Sequence, residues 1–448
     1  MSQPGKTIAR ALAVFCLLSS APASSHAGLW TFTEVADTST PIPGGTGNFT
    51  GFGTPAYHNG FLAFTGTGSS NQQGVYETTL GNPISVVANT STAVPGSTGT
   101  YTGFERPDVD TSGNVAFVAT GGAVGQGVYA KLLGGSLKAV ADTNTATPNF
   151  AGGTFAGFTN LGSASIDQGT VAFAGFSRTA GGAVNAGIYT GSASGGALTR
   201  VADRTTSFPY GNSSQTMIFI DRPTINNGNV IFNASTGSNG QNGIYELKGG
   251  MLTRVIDNTQ NLPGGAGKFG LEGTISRGPQ VSGLQNAFFS VGPPGVTGYY
   301  GTDSTGTLVT LANFATIPPG NTVPFTGLDD LSLSGSAFVF WGSSSQEPGA
   351  FFYKTFDGSI FERIIGAGDA LNGKTVGQVT GGIYGFDPPI TTIAFDISFT
   401  DGTSSIWVAT RPSAGPSAPE PTSLLLAGIG SIGLLGLLAR RRRVGGGG

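Results

Sequence analysis

The sequence has almost no cysteine or histidine. Its 448 residues include one Cys and two His. Cys16 and His26 both stand in a leader segment marked for removal. The mature chain then has no thiol for a disulfide, a thiolate metal site or a covalent nucleophile. His58 alone cannot build a His-rich zinc or iron set. Charge is scarce too, at 10% of residues, and it is uneven. Lys6 and Arg10 open the chain, Arg411 and Arg440 to Arg443 close it, and acids outnumber bases between them. An acidic body is a poor partner for a phosphate backbone, which excludes nucleic acid. With 76 Gly and 25 Pro, a helical protein is also excluded, since both residues are costly inside helices. What the chain does have is 30 Phe within a 38% hydrophobic content. A core can form, in a chain rich in turns.

The two ends read as address labels. Residues 1–27 form a secretory signal peptide. Lys6 and Arg10 supply the positive start, Ala11 to Leu18 the apolar run, and Ser25-His26-Ala27 a small-residue site with cleavage between Ala27 and Gly28. The run is too short to cross about 30 Å of hydrocarbon. Ala13-Val14-Phe15 before Cys16 is not a lipidation pattern. At the other end, a linker over 411–421 finishes in Pro419-Glu420-Pro421. Residues 422–439 carry no charge and, at about 1.5 Å each, reach about 27 Å as a transmembrane helix. The basic tail over 440–448 opens with Arg440, Arg441, Arg442 and Arg443, which keep it cytoplasmic and leave the body outside. Gly445 to Gly448 have no reading.

The order Pro-Glu-Pro, apolar helix, arginine cluster resembles the PEP-CTERM sorting signal of Gram-negative and related bacteria. The resemblance implies a membrane protease-transpeptidase, exosortase, as partner. It implies Pro419, Glu420 and Pro421 as its recognition residues and loss of the helix on processing. Proteins with this signal are typically surface or matrix proteins made alongside exopolysaccharide.

The middle repeats one motif seven times. A Gly-x-aromatic strand recurs with its aromatic at Tyr76, Tyr129, Tyr189, Tyr245, Tyr300, Phe351 and Trp407. A "VAF" strand recurs at Phe64, Phe117, Phe173, Phe232, Phe288, Phe338 and Phe395. A "VAD" strand recurs at Ala36, Ala88, Ala141, Ala202, Ile256, Ala312 and Ile365. Gly/Pro loops and Gly-Phe pairs such as Gly51-Phe52 separate them. Short runs rich in Val, Phe, Tyr and Thr between Gly, Asn and Pro are strands joined by tight turns. One four-stranded sheet cannot bury both faces, whereas radial stacking of such sheets does. The expected fold is all-β: a seven-bladed β-propeller of four-stranded antiparallel blades over 28–410, plus the C-terminal helix. Trp30 to Asp37 is a fourth strand with nothing before it, and the last unit stops at its third strand. Pairing them closes the ring. The unit also resembles the tandem NxxGxxxAF-type repeats of bacterial surface proteins, most closely at Gly113 to Phe117 and Gly228 to Phe232.

Chemistry is sparse. His58 falls in a turn, Tyr57-His58-Asn59-Gly60, and no phosphate-binding loop is present. Asp108-x-Asp110-x-Ser112-Gly113 has the start of a calcium loop, but Ala119 stands where its acid is needed, so it reads as an Asx turn. No metal or cofactor is expected. Asp37, Asn89, Asp142, Asp203, Asp257 and Asn313 end the VAD strands as turn caps. Four acids follow the Gly-Phe position: Glu105, Asp221, Asp329 and Asp387. On innermost strands they would gather at one mouth of the central channel, a candidate site with raised pKa values or a held cation. Arg106 and Arg222 follow two of them as local partners. The expected function is a non-enzymatic, exosortase-sorted surface or matrix protein that binds exopolysaccharide or a protein through propeller loops. The alternative is a glycan hydrolase using two of these carboxylates.

Overall fold

The computed structural model describes residues 30–158, 164–210, 215–237, 240–263, 267–270, 278–293, 295–381 and 392–412. The expected signal peptide, Pro-Glu-Pro motif, helix and arginine cluster lie outside them. Among the described residues no helix is long and apolar enough to cross a membrane.

Seven antiparallel sheets follow one another along the chain. Blade 1 takes Phe49–Phe52 with Ala56–His58, then Phe61–Gly68, Gln73–Thr79 and Ser85–Asn89. Blade 2 runs from Tyr101–Phe104 and Asp108–Val109 to Leu137–Asp142, and blade 3 from Gly153–Gly157 and Ser165–Asp167 to Thr199–Asp203. Blades 4, 5 and 6 span Phe219–Asn226 to Met251–Asp257, Gln280–Ser282 to Leu308–Asn313, and Gly327–Ser334 to Phe361–Gly366. Blade 7 holds Lys374–Gly381, Thr392–Phe399 and Ser404–Thr410, and its fourth strand is Thr31–Asp37. That strand pairs antiparallel with Ser404–Thr410, from Thr31 opposite Thr410 to Asp37 opposite Ser405. Both ends of the body are tied into one sheet, and the ring has no free seam. Trp30, buried just ahead of the strand, packs edge-on against Tyr353 of blade 6 at 5.8 Å.

The Gly-x-aromatic motif has a geometric cause. In blade 1 the fourth strand slips by one residue between Val75 and Tyr76, a bulge that recurs at Ile188/Tyr189 and Ile244/Tyr245. The bulged strand crosses directly over the motif glycine. A Cβ at Gly187 would lie 2.5 Å from the carbonyl oxygen of Ala202, and one at Gly243 would lie 2.4 Å from that of Ile256. Only hydrogen fits there.

Strand pairing corrects the register read from sequence in the sixth unit. Phe340 stands opposite Phe352, as Phe64 stands opposite Tyr76 and Phe117 opposite Tyr129. The anchors of that unit are therefore Phe340 and Phe352, not Phe338 and Phe351. Its closely spaced aromatics Phe338, Phe340 and Trp341, with the run Phe351 to Tyr353, satisfy the pattern in more than one register, and only the bulge position selects one.

Each blade hands over to the next through a loop folded back on itself. Ile42 N–H donates to Gly47 O, Val94 to Gly99, Phe208 to Gln215 and Leu262 to Gly267. The Asx residues ending the VAD strands cap these loops. Asp37, Asn89, Asp142 and Asn313 each accept the N–H two residues on and the Thr hydroxyl three residues on. Buried residues such as Ile42, Val94, Phe208 and Leu262 plug the loops into the core between blades.

Candidate functional site: the central channel

The first strand of every unit is innermost, and neighbouring inner strands touch around the axis. Proline shapes them. Pro55, Pro107 and Pro223 interrupt the strand after its first half, because proline supplies no N–H to the ladder. In blade 4 the pairing shifts between Asp221 and Thr224, with Arg222 at φ 54°. In blade 6 it shifts between Asp329 and Leu331, with Asp330 at φ 47°. The second halves of the inner strands then close on one end of the channel. They enclose a cavity of about 70 Å³ lined by polar groups that include His58, Asp108, Ser165, Asp167, Asn226 and Gln280.

A repeated clasp joins the blades at this end. In blades 2 to 6 the inner strand finishes in a polar-apolar-polar triplet before its turn. Asp110 Oδ2 accepts the N–H of Gly169 in the next blade at 2.9 Å. Asp167 Oδ2 accepts Asn227 N–H at 2.6 Å, Asn226 Oδ1 accepts Gly283 N–H at 3.0 Å, and Ser282 Oγ accepts Gly335 N–H at 2.9 Å. One acceptor position, turned about the axis, bonds the next blade's turn four times between blades 2 and 6, to its second residue in the first case and to its first residue in the other three. A second row lies two residues earlier, where Asp108 Oδ2 accepts Ile166 N–H at 2.8 Å and Ser165 Oγ accepts Ile225 N–H at 3.3 Å. Asn59 Nδ2 donates to Thr111 O across the first seam.

The half calcium loop is thus a clasp. Asp110 accepts Ser112 N–H and Asn114 N–H on Oδ1, and Asn114 Nδ2 with Gly169 N–H on Oδ2. Among the described residues no group of three His, Cys, Asp or Glu stands together as a metal set. Burial pushes Asp108 up to about 7, against the pull of the bonds from Ile166, Val109 and Ser165 and of the Arg106 charge. Asp167 is raised by burial and by the Asp110 charge, with Asn227 N–H and His58 opposing.

The acids named from sequence stand at one level, farther along the strands. Glu105 N–H donates to Val118 O at 2.9 Å, Asp221 pairs with Asn233 and Asp329 with Trp341. Each therefore faces the residue after its aromatic anchor, in blades 2, 4 and 6. They do not line the cavity. Burial alone pushes Glu105 up to about 7. Burial also raises Asp221, opposed by Arg222 and a bond from Asn233. The three stand on the inner strands of alternate blades. Asp387 lies outside the described residues. In the register of blade 7, Thr380 takes the matching place, opposite Asp396. Sequence reasoning missed Asp396, whose buried Oδ1 has no partner among the described residues. Burial and the nearby Asp330 push it up to about 7. It also missed the clasp acceptors Asp167, Asn226 and Ser282, although the recurrent triplets Ser165-Ile-Asp167, Thr224-Ile-Asn226 and Gln280-Val-Ser282 marked them.

The comparisons with known proteins identify the signal near the C-terminus. Residues 417–443 match the PEP-CTERM protein-sorting motif. The chain therefore carries the signal of an exosortase-sorted, exported protein, made as a membrane-anchored precursor. Residues 19–189 match a family of unknown function, DUF7453. No curated protein shows significant similarity to the chain. Among solved structures it is similar to the β-propeller domain of the trilobed protease of Pyrococcus furiosus, at 8% identity and a TM-score of 0.47, covering 81% of this chain and 95% of that one. It is also similar to TolB of Acinetobacter baumannii, at 15% identity and a TM-score of 0.37, covering 69% and 64%. A third likeness is to a Trypanosoma rangeli sialidase, at 11% and 0.37, covering 85% and 59%.

Proposed function

We propose that this protein is a non-enzymatic scaffold of the cell surface or extracellular matrix. It reaches its place through a signal peptide cleaved after Ala27 and exosortase acting at Pro419-Glu420-Pro421, and it binds exopolysaccharide or a partner protein through its loops. The observation that carries the reading is the joining of a sorting signal at 417–443 to a closed ring in which the acids beside the channel cavity hold neighbouring blades together. Asp108, Asp110 and Asp167 each accept a backbone N–H of the next blade. A hydrolase needs two carboxyls free for proton transfer and attack, within roughly 5–10 Å of one another. The loops between blades meanwhile offer an ordered, Ser-, Thr- and Asn-rich rim.

The test uses the processed protein from its own host. It is incubated with that host's exopolysaccharide, and both co-sedimentation and the release of reducing ends are followed. Retention without cleavage is expected. Cleavage that disappears in Glu105→Gln or Asp221→Asn would replace this reading with the hydrolase. For sorting, Glu420→Ala leaves export intact and blocks C-terminal processing. Mass spectrometry of a wild-type mature chain still holding residues 422–443 would reduce the signal to a plain anchor.

A further inference from the structure

The two ends of the body leave the ring side by side. Thr31 stands opposite Thr410, and the Thr31 hydroxyl donates to Thr410 O at 3.1 Å. Arg411, the next residue, is pinned by a two-pronged bond to Glu362 of blade 6, at 3.0 and 2.8 Å. The direction of the strands fixes the face on which this happens. Third strands run toward the turns that join strands three and four, as Asn242–Lys248 runs into Gly249-Gly250. Ser404–Thr410 is the third strand of blade 7, so it ends on that face. The same face carries the turns after the inner strands and the polar channel cavity. The folded-back loops lie on the opposite face, where Asp37 ends the closing strand.

We propose that, in the anchored precursor, the face bearing these turns and the cavity lies against the membrane, and the loop face points outward. This rests on the sorting reading. The tether from Pro412 to Pro421 has ten residues. Fully extended, ten residues reach at most about 33–36 Å. The inner strand of blade 4, Phe219–Asn226, has eight residues and alone measures about 27 Å at 3.4 Å per residue. Turning the loop face to the membrane would lift the attachment point by more than that, and the tether would have to be nearly straight. The tether cannot supply that reach without losing most of its freedom. Three apolar tips, Leu133, Met251 and Leu284, stand 57%, 68% and 64% exposed on the turn face, ready to meet lipid headgroups. Tyr210, Ile218 and Phe219 are exposed on the loop face, so apolar exposure does not choose between the faces; the chain ends do. Processing releases the constraint, and the loop face is the one a partner meets before that.

The mature chain lacks cysteine, so single labels are clean. The chain after signal-peptide removal, residues 28–448 and so without Cys16, carrying Met251→Cys on the turn face or Thr98→Cys on the loop face is labelled with a fluorophore. It is reconstituted into phosphatidylethanolamine–phosphatidylglycerol vesicles containing nitroxide-headgroup lipid. Quenching several-fold stronger at position 251 than at 98 is expected. Equal quenching in vesicle-bound protein, or stronger quenching at 98, overturns the orientation and leaves sorting intact. Protein that does not float with the vesicles at all overturns the sorting reading, and the orientation with it.

Discussion

The first three blades repeat one another closely and blade 4 departs from them, as aromatic packing shows. In blade 1 Phe49 meets Tyr76 at 5.0 Å and 87°, and Phe64 lies 5.8 Å from Tyr76 at 31°. Blade 2 gives 5.0 Å and 89° for Tyr101–Tyr129, and 5.9 Å and 31° for Phe117–Tyr129. Blade 3 gives 5.1 Å and 87° for Phe155–Tyr189, and 6.0 Å and 32° for Phe173–Tyr189. Blade 4 departs. Its backbone places Met217 where the others have Phe49, Tyr101 or Phe155, since Met217 N–H donates to Thr206 O as Phe49 N–H does to Thr40 O. The missing ring comes from the loop plug. Phe208 replaces the Ile42 and Val94 of earlier loops and reaches Tyr245 at 5.3 Å. A large residue and a smaller one have exchanged places around the same slot. The volume of the slot is kept while the residue that fills it changes. The family match over 19–189 ends at Tyr189, the last ring of the regular part.

The strongest way to break the comparison is to open the ring, which spares neither part. Deleting Trp30 to Asp37 removes a fourth strand with buried Trp30 and Ala36 and half-buried Phe32 and Val35. Each large apolar side chain is worth roughly 1.5–3 kcal/mol against a whole-domain stability of about 5–15. Cooperative melting should be lost, and an unchanged midpoint would count against closure. Next comes the ring slot itself. Phe155→Ala in the regular part should cost about 3–5 kcal/mol in a denaturant titration. In blade 4, Met217→Phe alone should overpack the slot by about 1–3 kcal/mol. The double change Met217→Phe with Phe208→Ile restores the early-blade arrangement and should cost less than about 1.5. A double variant no better than the sum of its singles would show that no exchange took place. The clasps come third. Asp167→Ala leaves Asn227 N–H without its partner and should cost about 1–3 kcal/mol, against less for Ser282→Ala at the more exposed rim.

Much of this architecture is legible in the chain because each repeat states it independently. Five of the seven units carry a glycine two residues before the aromatic, too regular for turn punctuation, and the structure shows why, with a fourth strand lying across each. A lone fourth strand at one end and a missing one at the other reveal closure. What fails is what repeats do not vote on. In the sixth unit, runs of adjacent aromatics leave two registers open. The clasp acceptors change identity from Asp to Asn to Ser, so matching by residue type passes over a position that geometry holds constant. The acids after the Gly-Phe pairs share a level, as equal offset requires, and the order of the repeats already puts Glu105, Asp221 and Asp329 in alternate units. Sequence could not show that the second halves of the inner strands, beyond Pro55, Pro107 and Pro223 in three of them, turn in to make the cavity wall.

The smallest effect separates buried acids from turn acids by pH. Glu105, Asp108 and Asp396 are pushed up to about 7 by burial, whereas in the unfolded chain they titrate near 4. Between about pH 4 and 7 the folded body therefore holds protons that the unfolded chain has released. Stability is then greatest near the lower limit and falls as pH rises through the folded values, levelling off above about 8. The turn-capping acids act in the opposite sense and lower down. Hydroxyl and N–H bonds hold Asp357 down at about 2 and lower Asp401 as well. Their contribution is present above about pH 4 and is lost as pH falls toward 2. The two sets together place the maximum of the melting temperature near pH 4–5, below the neutral value. Melting curves from pH 2.5 to 9 measure this directly. Asp108→Asn should flatten the limb between 4 and 7 while leaving the acid limb in place. A maximum at pH 7 or above would mean that these carboxyls are charged in the folded ring, with Arg106, Arg222 and the clasping N–H groups compensating them in full.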